Sequence, residues 1–191
     1  MKNCPQVKFV FAILAIVALA ATVVYTARAD SDDVVRITAK MTGFQENLPK
    51  LTSASGTFTA TLAPDGKSLS FKETWTGLSG PAAQSHIHFG QPGVNGGIFV
   101  WLCGTTTNPN PDTDEPPCPT GTATATPITG TINMEDVLGV PAQNITAGDF
   151  AGLLKIIRAG DAYVNVHTAA FPSGEIRGQV HISHDEDDNG N

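Results

Sequence analysis

The chain has 191 residues, with 18 Asp and Glu against 11 Lys and Arg, a formal charge of −7. That balance excludes nucleic acid and anionic membrane surfaces as electrostatic partners, and it suits solubility, cations or a basic protein. The length is that of one domain, with enough chain to bury a real core.

Residues 1–29 read as a targeting segment. Lys2 and Lys8 make a positive start, residues 9–24 are almost wholly apolar, and Ala27-Arg28-Ala29 has the small-x-small pattern of a cleavage site. The other reading is an uncleaved anchor, since the apolar run approaches spanning length. Cleavage after Ala29 leaves residues 30–191, which hold all 18 acids but only eight of the Lys and Arg, a formal charge of −10. Cys4 departs with the leader. Cys103 and Cys118 bracket a Pro/Thr/Asn-rich stretch, and in an exported chain they read as one disulfide. A Cys/His metal site is the rival reading, although the spacing matches no common zinc pattern.

After the acidic start Asp30-Ser31-Asp32-Asp33, residues 34–41 alternate, with Val35, Ile37, Ala39 and Met41 on one face of a strand. Residues 43–55 are irregular. Residues 57–62 alternate again, and Pro64-Asp65-Gly66-Lys67 is a turn, because Pro presets φ and Gly takes positive φ. Residues 69–75 return as its hairpin partner. Ser85-His86-Ile87-His88-Phe89 is a strand that puts His86 and His88 on one face and Ile87 and Phe89 on the other. Its Gly90-Gln91-Pro92-Gly93-Val94-Asn95-Gly96-Gly97 continuation is a turn. Residues 98–102 are a short buried strand, residues 104–119 a loop, and residues 122–132 another strand, at an edge. One helix is expected: Thr146 caps it with Asp149 three positions on, Phe150, Leu153, Leu154 and Ile157 follow at helical spacing, and Gly160 ends it. Residues 162–168 carry His167. Phe171-Pro172-Ser173-Gly174 turns the chain into residues 175–182, and residues 185–191 form an acidic, disordered tail. The sum is a mostly β chain: an antiparallel, Greek-key-like β-sandwich or barrel of about seven or eight strands with one short helix, spanning residues 30–184.

Gly43-Phe44-Gln45-Glu46-Asn47-Leu48-Pro49, the His86-x-His88 segment with its glycine turn, residues 153–160, and residues 163–179 from Tyr163 through Gly174-Glu175-Ile176-Arg177-Gly178 together resemble the chordin-type (CHRD) domain. The resemblance covers nearly the whole chain after the leader. It implies an exported β-rich domain, found singly in bacterial proteins and repeated in chordin, whose growth-factor binding does not transfer to one domain without its neighbours. For single-domain members it implies no settled activity. The stretch between Cys103 and Cys118 departs from the usual pattern. The His-x-His strand followed by a glycine-rich loop is also similar, by analogy alone, to copper/zinc superoxide dismutases, whose remaining ligands have no matching positions here.

His86, His88 and His167 form a candidate metal site of three imidazoles, a donor set suited to copper, zinc or iron. The competing reading makes them buried polar braces that hydrogen-bond through their ring nitrogens. Tyr163 and Asn165 share the face of His167 and act as its partners in either picture. Glu175 and Arg177, two apart on the last strand, pair with each other or orient a histidine from behind. No catalytic residue is assigned, because no serine or cysteine sits in a nucleophile elbow and no phosphate loop is present. Asp185-x-Asp187-x-Asn189 begins like a calcium loop but lacks the closing Glu, and Asn144-Ile145-Thr146 is a glycosylation sequon.

Two functions follow. The first is an exported, non-catalytic binding or structural module with an extracellular macromolecule as partner. The second is a metal protein, copper before zinc, for redox chemistry or metal handling. An exposed edge strand offers a route to a homodimer.

Overall fold

A computed structural model describes residues 35–107, 109 and 115–183. The leader, residues 1–29, and the tail, residues 185–191, lie outside the described residues. Nine strands run in chain order: β1 (Arg36–Thr42), β2 (Ser55–Leu62), β3 (Leu69–Thr76), β4 (Ala82–Phe89), β5 (Ile98–Cys103), β6 (Ile128–Ile132), β7 (Ala162–Thr168), β8 (Ile176–Gln179) and β9 (His181–Ser183). They make one antiparallel sheet in the order β5-β4-β7-β8-β1-β2-β3-β6, with β9 also paired to β1. The sheet curls until it is nearly closed into a barrel, and β5 meets β6 across the gap.

The β2–β3 hairpin has an unbroken register from Ser55 opposite Thr76 to Leu62 opposite Leu69. Its turn holds Gly66 at φ 71°, and Asp65 accepts a hydrogen bond from the Lys67 amide. Alternation puts Phe58, Ala60, Leu69, Phe71 and Trp75 inside, beside Ile37, Ala39 and Met41 of β1. The threonines of β2 face out, as strand-forming residues on a wet surface do.

Three boundaries differ from the sequence reading. The expected strand over residues 122–132 shrinks to β6. Pro127, without an N–H, precedes it; the Thr122 carbonyl instead accepts from the Leu78 amide, and Thr124 bonds the Trp75 backbone through both its amide and its hydroxyl. The single helix, α1 (Phe150–Arg158), is capped by Asp149, whose side chain accepts from the Gly152 amide at 2.8 Å. Thr146 is not the cap, because Gly148 turns the chain at φ 82° before the helix starts. The last strand divides into β8 and β9 at Val180, whose amide bonds the Ala162 carbonyl. That break makes nine strands of the expected seven or eight.

Cys103 and Cys118 are disulfide-bonded. The bridge closes a 15-residue separation and fastens the end of β5. In the chain-entropy picture a loop of that size contributes about 3 kcal/mol. Replacing both cysteines by Ala is expected to lower the melting temperature by about 6–12 °C, which differential scanning calorimetry reads directly.

Candidate metal centre

Beyond the apolar interior, the sheet has a second buried face over β4, β7 and β8. Pairing sets it out residue by residue: Gln84 lies opposite His167, His86 opposite Asn165, and His88 opposite Tyr163. Across β8, Asn165 faces Arg177 and Tyr163 faces Gln179. The intervening Ile87, Val164, Val166 and Ile176 point to the core. Alternation thus produces two faces from one set of strands, one apolar and one wholly polar.

Loops roof the polar face. Arg177 donates to the carbonyls of Gln91 and Val94 at 2.9 and 3.0 Å, and Gln179 donates to those of Gly90 and Gly160. These bonds press the glycine turn onto the strands. Gly96 is obligatory there, since a Cβ would collide with the Phe89 carbonyl. The result is deep burial, with His86 0% exposed and His88 and His167 each 7% exposed.

The three histidines converge as the sequence suggested. One ring nitrogen from each lies within 4.8 Å of the other two. Imidazole nitrogens held at 2.0–2.1 Å by one ion stand about 3.4 Å apart, so binding draws the set inward by about 1 Å at its widest. His88 Nδ1 donates to the Gly96 carbonyl at 3.0 Å, leaving Nε2 as the lone-pair side. His167 Nδ1 donates to the Pro172 carbonyl, also at 3.0 Å, and its Nε2 sits 3.0 Å from the Asn165 side-chain amide. Such backbone bonds fix tautomer and ring orientation for a ligand nitrogen. His88 Nε2 and both nitrogens of His86 are buried without a hydrogen-bond partner. Burial holds His86 down to about pKa 2, with His167 and His88 adding to the effect. It holds His88 at about 4 and also lowers His167. All three are therefore neutral at ordinary pH, with free lone pairs on His86 and His88, while His167 Nε2 is engaged by Asn165 and must give up that contact to ligate.

Aromatic rings wall the cluster. Trp101 meets His86 edge to face with centroids 4.2 Å apart. Tyr163 stacks on His88 at 4.6 Å and 4°, its hydroxyl accepts from the Gly96 amide, and the Arg177 guanidinium lies 3.4 Å over its ring.

Glu175 and Arg177 do not touch each other. The Glu175 carboxylate accepts from Thr52 Oγ1, the Ser79 amide, Ser79 Oγ and Thr168 Oγ1 at 2.7–2.9 Å. It ties three connections to the start of β8, while Arg177 serves the glycine turn. Two residues at this face lie outside the sequence-derived set. Trp101 was legible only as part of an apolar strand. Glu46 belongs to the 43–49 motif. Its Oε1 is buried without a partner, and a Cβ at Gly174 (φ 116°) would strike both it and the Asn165 amide. Burial lifts the Glu46 carboxyl to about pKa 7, against the pull of Arg177 and Lys50.

Among the described residues, no helix is long and apolar enough to cross a membrane. A family model described as the CHRD domain matches residues 37–180. No curated protein matches the chain.

Proposed function

Because the chain belongs to the CHRD domain family, and its polar face gathers three imidazoles, we propose that it is an exported protein that holds a copper or zinc ion at His86, His88 and His167. The observation that carries the reading is the partnerless state of three buried ring nitrogens beside a converging set. A buried polar atom without a partner costs about 1–3 kcal/mol, and an ion accepting one lone pair from each of His86 and His88 removes that cost at two of the three atoms. Export is supported by the pattern of residues 1–29 and by the disulfide, which suits an oxidising compartment.

The chemistry is holding rather than turnover. Copper or zinc bound here would act as a Lewis acid or, for copper, a one-electron centre. The chain's own residues bind and orient: the Gly96 and Pro172 carbonyls aim His88 and His167, Asn165 meets the second nitrogen of His167, Trp101 packs on His86, and the roof of loops keeps water off. Residues exposed by 0–7% give a substrate no direct approach to the ion.

Elemental analysis of protein recovered from its own compartment tests this, beside a triple His86/His88/His167→Ala variant. About one copper or zinc per chain, lost in the variant, is the expected result. With the ion at 100 times its dissociation constant, reloading the stripped protein should add about 2.7 kcal/mol of stability. Protein that is metal-free on recovery and does not shift its melting temperature with either ion would make the histidines structural braces.

A further inference from the structure

We propose that the ion this pocket selects is copper in its monovalent form, Cu(I). The inference rests on the metal-binding reading above and adds the charge and ligand number of the ion. Charge comes first. The converging set is three neutral imidazoles, and among the described residues no carboxylate or thiolate joins it. Cys103 and Cys118 are bonded to each other. The Glu46 carboxyl lies beside the Asn165 amide at Gly174, outside the converging set, and Glu175 is saturated by hydroxyls and an amide. A positive charge lies against this stack: Arg177, 3.4 Å over the ring of Tyr163, which itself stacks on His88, while burial keeps the Glu46 carboxyl on the same face largely protonated below about pH 7. A divalent ion would bring two charges into a pocket 0–7% exposed, with no bound anion to offset them. The cost of burying an ion grows with the square of its charge, so a monovalent ion bears about a quarter of it.

Ligand number points the same way. Zinc completes a tetrahedron with a fourth donor, and Cu(II) takes tetragonal sets of four or more. Three imidazoles closed over by Trp101, Tyr163 and the glycine turn supply three donors and little room for water. Filled-shell Cu(I) is satisfied by three. The neutral, buried set also opposes loss of an electron from the bound ion, since Cu(II) would place a second charge in the same site.

The test titrates the metal-free protein, with its disulfide intact, with three probes: Cu(I) under anaerobic ascorbate against a bathocuproine chelator, Cu(II), and Zn(II). One Cu(I) per chain is expected, held at least tenfold more tightly than Cu(II), which raises the Cu(II)/Cu(I) couple by about 59 mV per tenfold relative to the aqueous ion. His88→Gln should weaken Cu(I) at least tenfold. If that variant misfolds, tryptophan fluorescence of the parent gives a second reading: Trp101 packs on His86, so emission is quenched at one equivalent of Cu(I), and emission unchanged through one equivalent overturns the inference. Tighter binding of Zn(II) or Cu(II) than of Cu(I) overturns this inference and leaves the metal site standing. Binding of none of the three overturns both.

Discussion

Replacing Glu175 with Ala is expected to lower stability by about 3–5 kcal/mol, the range for removing a buried charged partner, and the melting temperature by about 6–20 °C. Glu175 is fully buried. Its four donors come from Thr52, Ser79 and Thr168, so truncation strands donors on three separate segments at once. Burial by itself raises this carboxyl, but the bonds from Ser79, Thr168 and Thr52 outweigh it and hold the pKa below the ordinary value. A depressed folded pKa means the contribution is fully present above the unfolded value near 4.3 and is lost as pH falls through the folded one. Glu175→Gln keeps the shape but turns an NH2 toward donors, so it should recover only part of the loss. Thermal melts of both variants from pH 3 to 7 check this. An Ala variant within 1 kcal/mol of the parent at pH 7 would show the carboxylate to be dispensable.

The second large effect has the opposite sign. Glu73 is buried in the barrel interior with the apolar residues of β3. Its Oε1 accepts from Ser85 Oγ of β4 at 2.8 Å, and its Oε2 has no partner. Because β3 and β4 are not neighbours in the sheet, this bond crosses the interior. Burial raises the carboxyl to about pKa 8, with the Ser85 bond opposing. A folded pKa above the unfolded one makes the native state the better proton binder between about pH 4.5 and 8, so stability falls as pH rises through that window and levels off above it. Glu73→Gln, neutral at every pH, should abolish that decline and exceed the parent by about 5 kcal/mol at pH 9, at 1.36 kcal/mol per pKa unit over the rise from 4.5 to about 8. At pH 5 the two should nearly coincide. Denaturant titrations at pH 5, 7 and 9 measure it, and a constant difference across the three would refute it.

Much of this architecture was written in the sequence as alternation. Period-2 runs placed β1, β2, β3 and β7 within a residue or two, and the Pro-Asp-Gly turn placed the hairpin, because side-chain periodicity and turn chemistry are local properties. The division of the last strand was not legible. Nothing in Glu175–Ile182 of the sequence marks Val180 as a break; it follows from a bond to Ala162 made by the tertiary fold. The His-x-His spacing told that His86 and His88 share a face, and no local rule told that His167 would lie beside them, since β4–β7 pairing is long-range. Spacing two apart set Glu175 and Arg177 as partners on one face, but proximity along a strand was a poor guide to what they touch. Each found stronger hydrogen bonding in loops that close from elsewhere in the chain. Glu46 was hidden for the same reason.

The position of β1 governs when this domain can form. It lies between β2 on one side and β8 and β9 on the other, with Thr42 opposite Arg177 and Arg36 opposite Ser183. The first strand made is thus walled in by the last two. An emerging chain can zip the β2–β3 hairpin early, but it cannot complete the sheet until β9 is free. Pairings of such long sequence separation also fold slowly, on the millisecond-to-second scale. A polypeptide of this topology remains threadable until β9 has been made, and its polar pocket closes only once β8 stands beside β7.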